Sequence, residues 1–318
     1  MNIRPAHDTM LIEELFYGLA ASVDAFLIDR EARKCRPATM IFYKRELGYF
    51  LKWAPAYKVE GLKDITPQLL RMYFIELGKT RKKANSIHAA YRPIKTWLKW
   101  AWEEYQIESR CPIERVKVEP PEEEPKPGIP LQDVDKLIAA CTGRNGSRDI
   151  ALFLFLLDTG IRRQELVLLN VGDLNRDGSI MIRTTKNKIS RKAHLIGETR
   201  RALADYLQTR KELSKVDPLF ATEEGGRFTP TGLYQVLRRR SKEAGIDPVG
   251  LHAFRRTFAL ESYRAGAGEI NTSRLLGHGN NHGDLNITKR YFDLQDDDLR
   301  KAHEASSPVK KLKKIKRK

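Results

Sequence analysis

The chain has 318 residues, 41% of them hydrophobic, and its 58 Lys and Arg against 41 Asp and Glu give a formal net charge of +17. Such a composition supports packed cores and excludes a mostly disordered chain, and the length suggests two domains. The charge favours polyanions, either nucleic acid or an anionic membrane surface; the best apolar run, "IALFLFLLDTGI" from Ile150, is too short and interrupted for a span of about 18 residues.

The N-terminal stretch carries Asp8, Glu13 and Glu14 and has no small-residue cleavage site, so it does not read as a secretory signal. Leu11, Leu15, Leu19, Val23 and Phe26 recur on one face and predict an amphipathic helix. A second helix starts near Thr39 and carries Leu47, Phe50 and Leu51. A third opens at "TPQLL", where Thr66 can cap and Pro67 suits the first helical position. A fourth runs from about Ala84 to Tyr105, with Pro93 expected to kink or divide it. Between the last two lies a basic cluster, Lys79, Arg81, Lys82 and Lys83. A solvated loop would explain it equally well, but Lys44, Arg45 and Lys52 on the second helix favour a DNA-facing surface. Cys35, Cys111 and Cys141 are odd in number and widely spaced, which suggests reduced thiols in a cytoplasmic protein and no zinc site.

"VEPPEEEPKPGIP", Val118 to Pro130, holds five prolines and no apolar period, and reads as a semi-rigid tether. Beyond it the pattern is mixed. "LQDVDKLIAAC" and "SRDIALFLFLL" are helical, and "SIMIRTT" and "KAHLIGE" read as two short strands around the turn "KNKIS". Helices follow from about Glu198 to Leu213, from "TPTGLYQVLRRRSKEAGI", from "GLHAFRRTFAL" and from "NTSRLLGHG". Arg238, Arg239 and Arg240 point three ways from their helix, so they cannot serve one face. The last ten residues, "VKKLKKIKRK", include seven basic ones.

Several residues along this second half carry chemistry in a fixed order. Arg162, in "DTGIRRQEL", stands at a helix start, where backbone N–H groups and the helix dipole favour an anion. Lys186 lies in the hairpin turn. His252 and Arg255 sit three apart, so they are expected on one helix face at the edge of an apolar stripe, pointing into a cleft. His278 follows in "LLGH", and Tyr291 in "ITKRYFDL". The series comprises planar guanidinium forks, proton carriers and a phenol, which is a weak nucleophile until its proton is removed or its anion stabilised.

The succession "TGIRRQEL", a hairpin lysine, "HAFRRTFA", "LLGH" and a tyrosine resembles the tyrosine recombinases, or phage integrases, over nearly the whole chain, and "RCPIERV" before the tether is similar to Xer-type members. The resemblance implies that Arg162 and Arg255 clamp a scissile phosphate, steadied by Glu165. Lys186 would protonate the leaving 5′-oxygen, His252 would assist proton transfer, His278 would hydrogen-bond the phosphate, and Tyr291 would be the nucleophile. It implies no metal and no cofactor. Each residue also has a plainer reading: Arg162 could simply pair with Glu165, His278 could be a half-buried histidine, Lys188 could replace Lys186, and Tyr263 rivals Tyr291 although it reads as a packing residue in mid-helix. Two features depart from the family pattern: a long segment from His278 to Tyr291, with His282 inside it, and Arg256 where members often carry histidine.

The expected fold is mainly α. A helical core-binding domain (1–117) is followed by a linker (118–130), a mixed α/β catalytic domain, mostly helical with a small antiparallel sheet (131–305), and a basic tail (306–318). Core-binding helices begin almost at once, so no arm-binding domain of the lambda type is expected. Function is expected to be site-specific DNA recombination by a tetramer on paired sites: integration, excision or dimer resolution. Partners are double-stranded DNA, reached through Lys44, Arg45, Lys79, Arg81, Lys82, Lys83, Arg238 and Arg239, and an accessory or directionality factor. A non-catalytic DNA-binding relative and a type IB topoisomerase are the alternatives.

Overall fold

The computed structural model describes residues 18–81, 83–119, 127–183, 190–277, 298 and 300. By its contacts the chain divides into two units, Met1–Glu123 and Glu124–Lys318.

The first unit is helical. Its helices are α1 (Leu19–Ala32), α2 (Pro37–Trp53), α3 (Pro67–Thr80) and α4 (Ala84–Glu104). Thr66 caps α3 by accepting from the Leu69 N–H at 3.1 Å, with Pro67 at the first helical position. The apolar faces of α1, α2 and α3 all meet α4. Phe26, Phe50, Leu70, Ile94, Trp97 and Leu98 are fully buried at their junction. Pro93 does not divide α4, which runs unbroken from Ala84 to Glu104. The proline lacks one N–H, but Tyr91, Ile94, Trp97, Leu98 and Ala101 are buried around it and hold the helix to the core.

The second unit begins with α5 (Leu131–Ala139), α6 (Gly146–Thr159) and a short α7 (Arg163–Leu168). A hairpin of β1 (Ser179–Ile182) and β2 (Arg191–His194) follows, antiparallel, with Ile182 opposite Arg191 at the end where residues 183–190 connect them. Further helices follow among the described residues: α8 (Gly197–Gln208), α9 (Pro230–Glu243), α10 (Leu251–Ser262) and α11 (Gly268–Leu276). Thr229 caps α9 through the Gly232 N–H at 3.0 Å, repeating the Thr-Pro start of α3. α8 stops at Gln208, short of Leu213, because Arg210 turns inward to donate to the Pro218 carbonyl at 2.7 Å. α6 is the central element, packed on α5, α8 and α10. Ala151, Leu152, Phe153, Phe155 and Leu156 are buried along it. No helix among the described residues is long and apolar enough to cross a membrane.

Candidate active site

The site grows from the turn between α6 and α7. Gly160 ends α6 at φ +53°, the left-handed region where a side chain is strained. Space excludes one as well: a Cβ here would lie 2.6 Å from Phe258 and 3.0 Å from Leu276. Two residues on, Arg162 is the N-cap of α7, and its backbone N–H donates to Glu165 Oε2 at 3.1 Å. The Arg162 side chain also pairs with Glu165, at 2.9 Å to Oε1. The anion expected at this helix start is therefore supplied in part by the chain's own carboxylate. Glu165 is 2% exposed and Arg162 31%, so the arginine keeps one side open to solvent.

α10 brings in the second arginine. Leu251, Ala253, Phe254, Arg255, Thr257 and Ala259 are buried on this helix. Arg255 is wholly buried, donating to the Gly160 carbonyl and to the Leu276 carbonyl, the latter at 2.7 Å. His252 is exposed. The two, expected on one helix face at the edge of the apolar stripe, differ in burial. Residues three apart diverge by about 60° around a helix, enough to send the long guanidinium inward and leave the imidazole outside. The next two residues grip the end of the tether: Arg256 donates to the Pro127 carbonyl and Thr257 to that of Ile129, both at 2.8 Å. Gly128 lies between them, where a Cβ would approach the Thr257 hydroxyl to 2.4 Å.

The third element is the C-terminal end of α11. A helix end leaves its last carbonyls without intrahelical partners. Here three successive carbonyls each receive a different arginine: Leu275 from Arg191 at 2.8 Å, Leu276 from Arg255 at 2.7 Å and Gly277 from Arg162 at 3.3 Å. Arg191 also reaches Glu165 Oε2 at 3.4 Å. Two guanidinium groups, those of Arg162 and Arg191, thus share the Glu165 carboxylate, and Arg255 joins them at the helix end that leads directly into His278. A site of this kind holds an anion through planar two-point contacts. Burial lowers the Arg191 pKa from its usual value, the Glu165 carboxylate opposes that, and the Arg162 charge adds to the lowering.

Among the expected site residues, the structure brings together Arg162, Glu165 and Arg255 and places His252 on the same helix as Arg255 but outside. Lys186, Lys188, His278, His282 and Tyr291 lie outside the described residues, as does the basic tail. Tyr263 is half-buried, in the single π-type turn that follows α10 rather than in mid-helix. Sequence reasoning noted Arg191 five residues after Lys186, as in the family's hairpin, but gave it no place in this cluster. Its one sequence signal was its place just after the hairpin lysine, and that does not reveal the partners.

The basic residues expected to face DNA divide into two kinds. Lys44, Arg45, Lys79, Lys83, Arg238 and Arg239 are exposed. Arg81 is not: it pairs with the buried Glu46 at 2.7 Å and lies over the Tyr49 ring at 5.0 Å. A carboxylate that is 2% exposed must be matched by a cation, and Arg81 shares that task with the more exposed Arg45, which pairs with the other Glu46 oxygen at 2.8 Å. Lys82 lies outside the described residues. Among the described residues no cluster of His, Cys, Asp and Glu could hold a metal ion.

The profile of the phage integrase family matches residues 129–298. The chain is 31% identical over 227 residues, 71% of its own length and 69% of the relative's, to the tyrosine recombinase XerA of Saccharolobus solfataricus. It shares its fold with the Tn1549 transposon integrase in complex with a circular intermediate DNA, at a TM-score of 0.72 and 18% identity, over 91% of this chain and 99% of that one. A lambda integrase tetramer bound to a Holliday junction matches at a TM-score of 0.73 and 16% identity, over 92% of this chain and 82% of that one.

Proposed function

The chain belongs to the phage integrase family and is a tyrosine-type site-specific recombinase; from that premise we propose how its residues divide the reaction. The observation that carries the reading is the convergence of Arg162 and Arg255 on the helix end that leads into His278. Arg162 and Arg255 hold the scissile phosphate of duplex DNA, with Glu165 orienting Arg162 and His278 hydrogen-bonding a phosphate oxygen. The Tyr291 phenol oxygen attacks phosphorus, forming a 3′-phosphotyrosine ester as the bond to the 5′-oxygen breaks. Lys186 delivers the proton to that leaving oxygen, and the exposed His252 assists in moving the phenol's proton. Rejoining reverses these steps with the 5′-hydroxyl of a second strand, so the bond energy is kept in the ester and no ATP is consumed. Preorganised cations supply such a reaction with most of its electrostatic stabilisation.

The helical domain 1–117 and the catalytic domain 131–305, joined by the linker 118–130, would close on DNA as a clamp, assembled as a tetramer on two paired sites in the cytoplasm. Integration, excision and dimer resolution all fit this chemistry, with or without an accessory factor. The tail from 306 adds affinity through phosphates, which carry no sequence information. If about eight phosphates are neutralised, log K for a duplex falls with log salt at a slope of roughly −7. A slope near zero in a titration from low to high salt would rule out the clamp.

Arg162→Ala tests the division of roles. DNA affinity should stay close to wild type, while single-turnover cleavage falls on the order of 10²-fold or more, as for loss of one preorganised donor. Normal cleavage by this variant would mean that Arg162 does no more than pair with Glu165.

A further inference from the structure

Arg191 stands at the first position of β2, outside the set of residues given a role above. Its side chain is 9% exposed. Its two terminal nitrogens reach different parts of the site: one donates to the Leu275 carbonyl at 2.8 Å, the other to Glu165 at 3.4 Å. The approach is tight. A Cβ on Gly277 would sit 2.8 Å from the Arg191 Cδ and 2.9 Å from its Nε, so the glycine of "LLGH" leaves room for this side chain as well as supplying a φ of +67°. Glu165 is shared in consequence: its Oε1 takes the Arg162 side chain, and its Oε2 takes the Arg162 backbone and Arg191.

We infer that Arg191 is a positioning residue of the recombinase site, bridging the carboxylate that orients Arg162 and the helix end that leads into His278. The inference rests on the phosphate-clamp reading above. Two physical effects follow from the bridge. Arg191 offsets part of the Glu165 charge, so Arg162 presents more of its own positive charge to a phosphate. It also holds the last turn of α11 to the hairpin strand. A lysine has one ammonium on a flexible stem and cannot reproduce a two-point guanidinium bridge.

The test uses the full-length chain and a nicked suicide duplex whose sequence comes from genomic fragments that the wild-type chain captures covalently. Arg191→Met should slow single-turnover adduct formation by about tenfold to a hundredfold, somewhat below the loss of a direct donor, with duplex affinity unchanged within about twofold. Arg191→Lys should recover part of that rate and remain several-fold below wild type. In an Arg162→Ala background Arg191→Met should cost much less than it does alone, since residues acting through one another are non-additive. A merely structural role predicts equal costs in the two backgrounds. Equal costs, or a wild-type rate in Arg191→Met, would overturn the inference. Should Arg191→Met fail to fold, Arg191→Lys decides, because a full wild-type rate there would show that no bridge is needed. A wild-type chain that captures no DNA would instead overturn the clamp reading beneath it, and this inference with it.

Discussion

Tyr291→Phe should abolish the covalent protein–DNA adduct while duplex affinity and folding stay at wild-type levels. The substitution removes one hydroxyl and keeps the ring, so whatever packing the ring provides survives. On a suicide duplex nicked near the cleavage point, the strand carrying the 5′-hydroxyl diffuses away and the wild-type adduct accumulates. Its formation should be indifferent to EDTA, because the charge on the attacked phosphate is met by Arg162 and Arg255 in this reading. Tyr263→Phe should leave the adduct in place; Tyr263 is half-buried in the turn after α10. The adduct, mapped by peptide sequencing, should fall on the peptide containing Tyr291. An adduct that persists in Tyr291→Phe assigns the nucleophile to another tyrosine. Cleavage that EDTA abolishes, with no adduct on any duplex, removes the tyrosine mechanism itself.

Asp149→Ala should produce the largest loss of stability of any single substitution considered for the second unit, about 3–5 kcal/mol, the usual cost of breaking a buried ion pair from one side. Asp149 is fully buried in the first turn of α6. Arg148 donates to its Oδ1 at 2.9 and 2.8 Å, and Arg240 to its Oδ2 at 2.8 Å. Arg239 reaches the same oxygen at 3.3 Å. Arg148 and Arg240 are 5% and 4% exposed, so the alanine would leave two like charges in the core, Arg240 keeping only its pair with the more exposed Glu243 at 2.8 Å. Arg240 also donates to the Ala140 and Thr142 carbonyls, and the loss would spread to the end of α5. All four tryptophans lie in the first unit, so their fluorescence does not report this event. Far-UV circular dichroism does, and its urea midpoint should fall by about 1 M or more, given a slope of about 1–3 kcal/mol per M. A midpoint within about 0.3 M of wild type, well inside that slope's reach, would show that the arginines find other partners.

Asp149 and its arginines mark where sequence reading ended. The three-way divergence of Arg238, Arg239 and Arg240 was legible from helical spacing, and so was the conclusion that they cannot serve one face. That one of them turns inward to a carboxylate 91 residues earlier was not. Arg81 is similar: it was read with the surface cluster around it, and Glu46, 35 residues away, holds it. In the candidate site the spacing of "HAFRR" placed His252 and Arg255 on one helix face, but not that Arg255 is buried and His252 exposed.

What the sequence determined by itself is local and ordered. Helix starts follow from Thr-Pro at Thr66 and Thr229, the hairpin from two short β-rich runs around a polar turn, and the family from five motifs in succession. These signals depend on neighbours within a turn or two of helix, where backbone geometry fixes which side chains meet. The tertiary structure alone decided which arginines share Glu165, and that the glycines of "TGIRR" and "LLGH" are sites of close approach to Phe258 and Arg191. It alone decided that three carbonyls at the end of α11 are each met by a guanidinium from a different element. Those partners lie 84, 21 and 115 residues apart along the chain. No periodicity reaches that far, because the approach of α11 to the hairpin, α10 and the α6–α7 turn is set by core packing, and the polar groups left at that junction then pair with whatever donors packing has brought within reach.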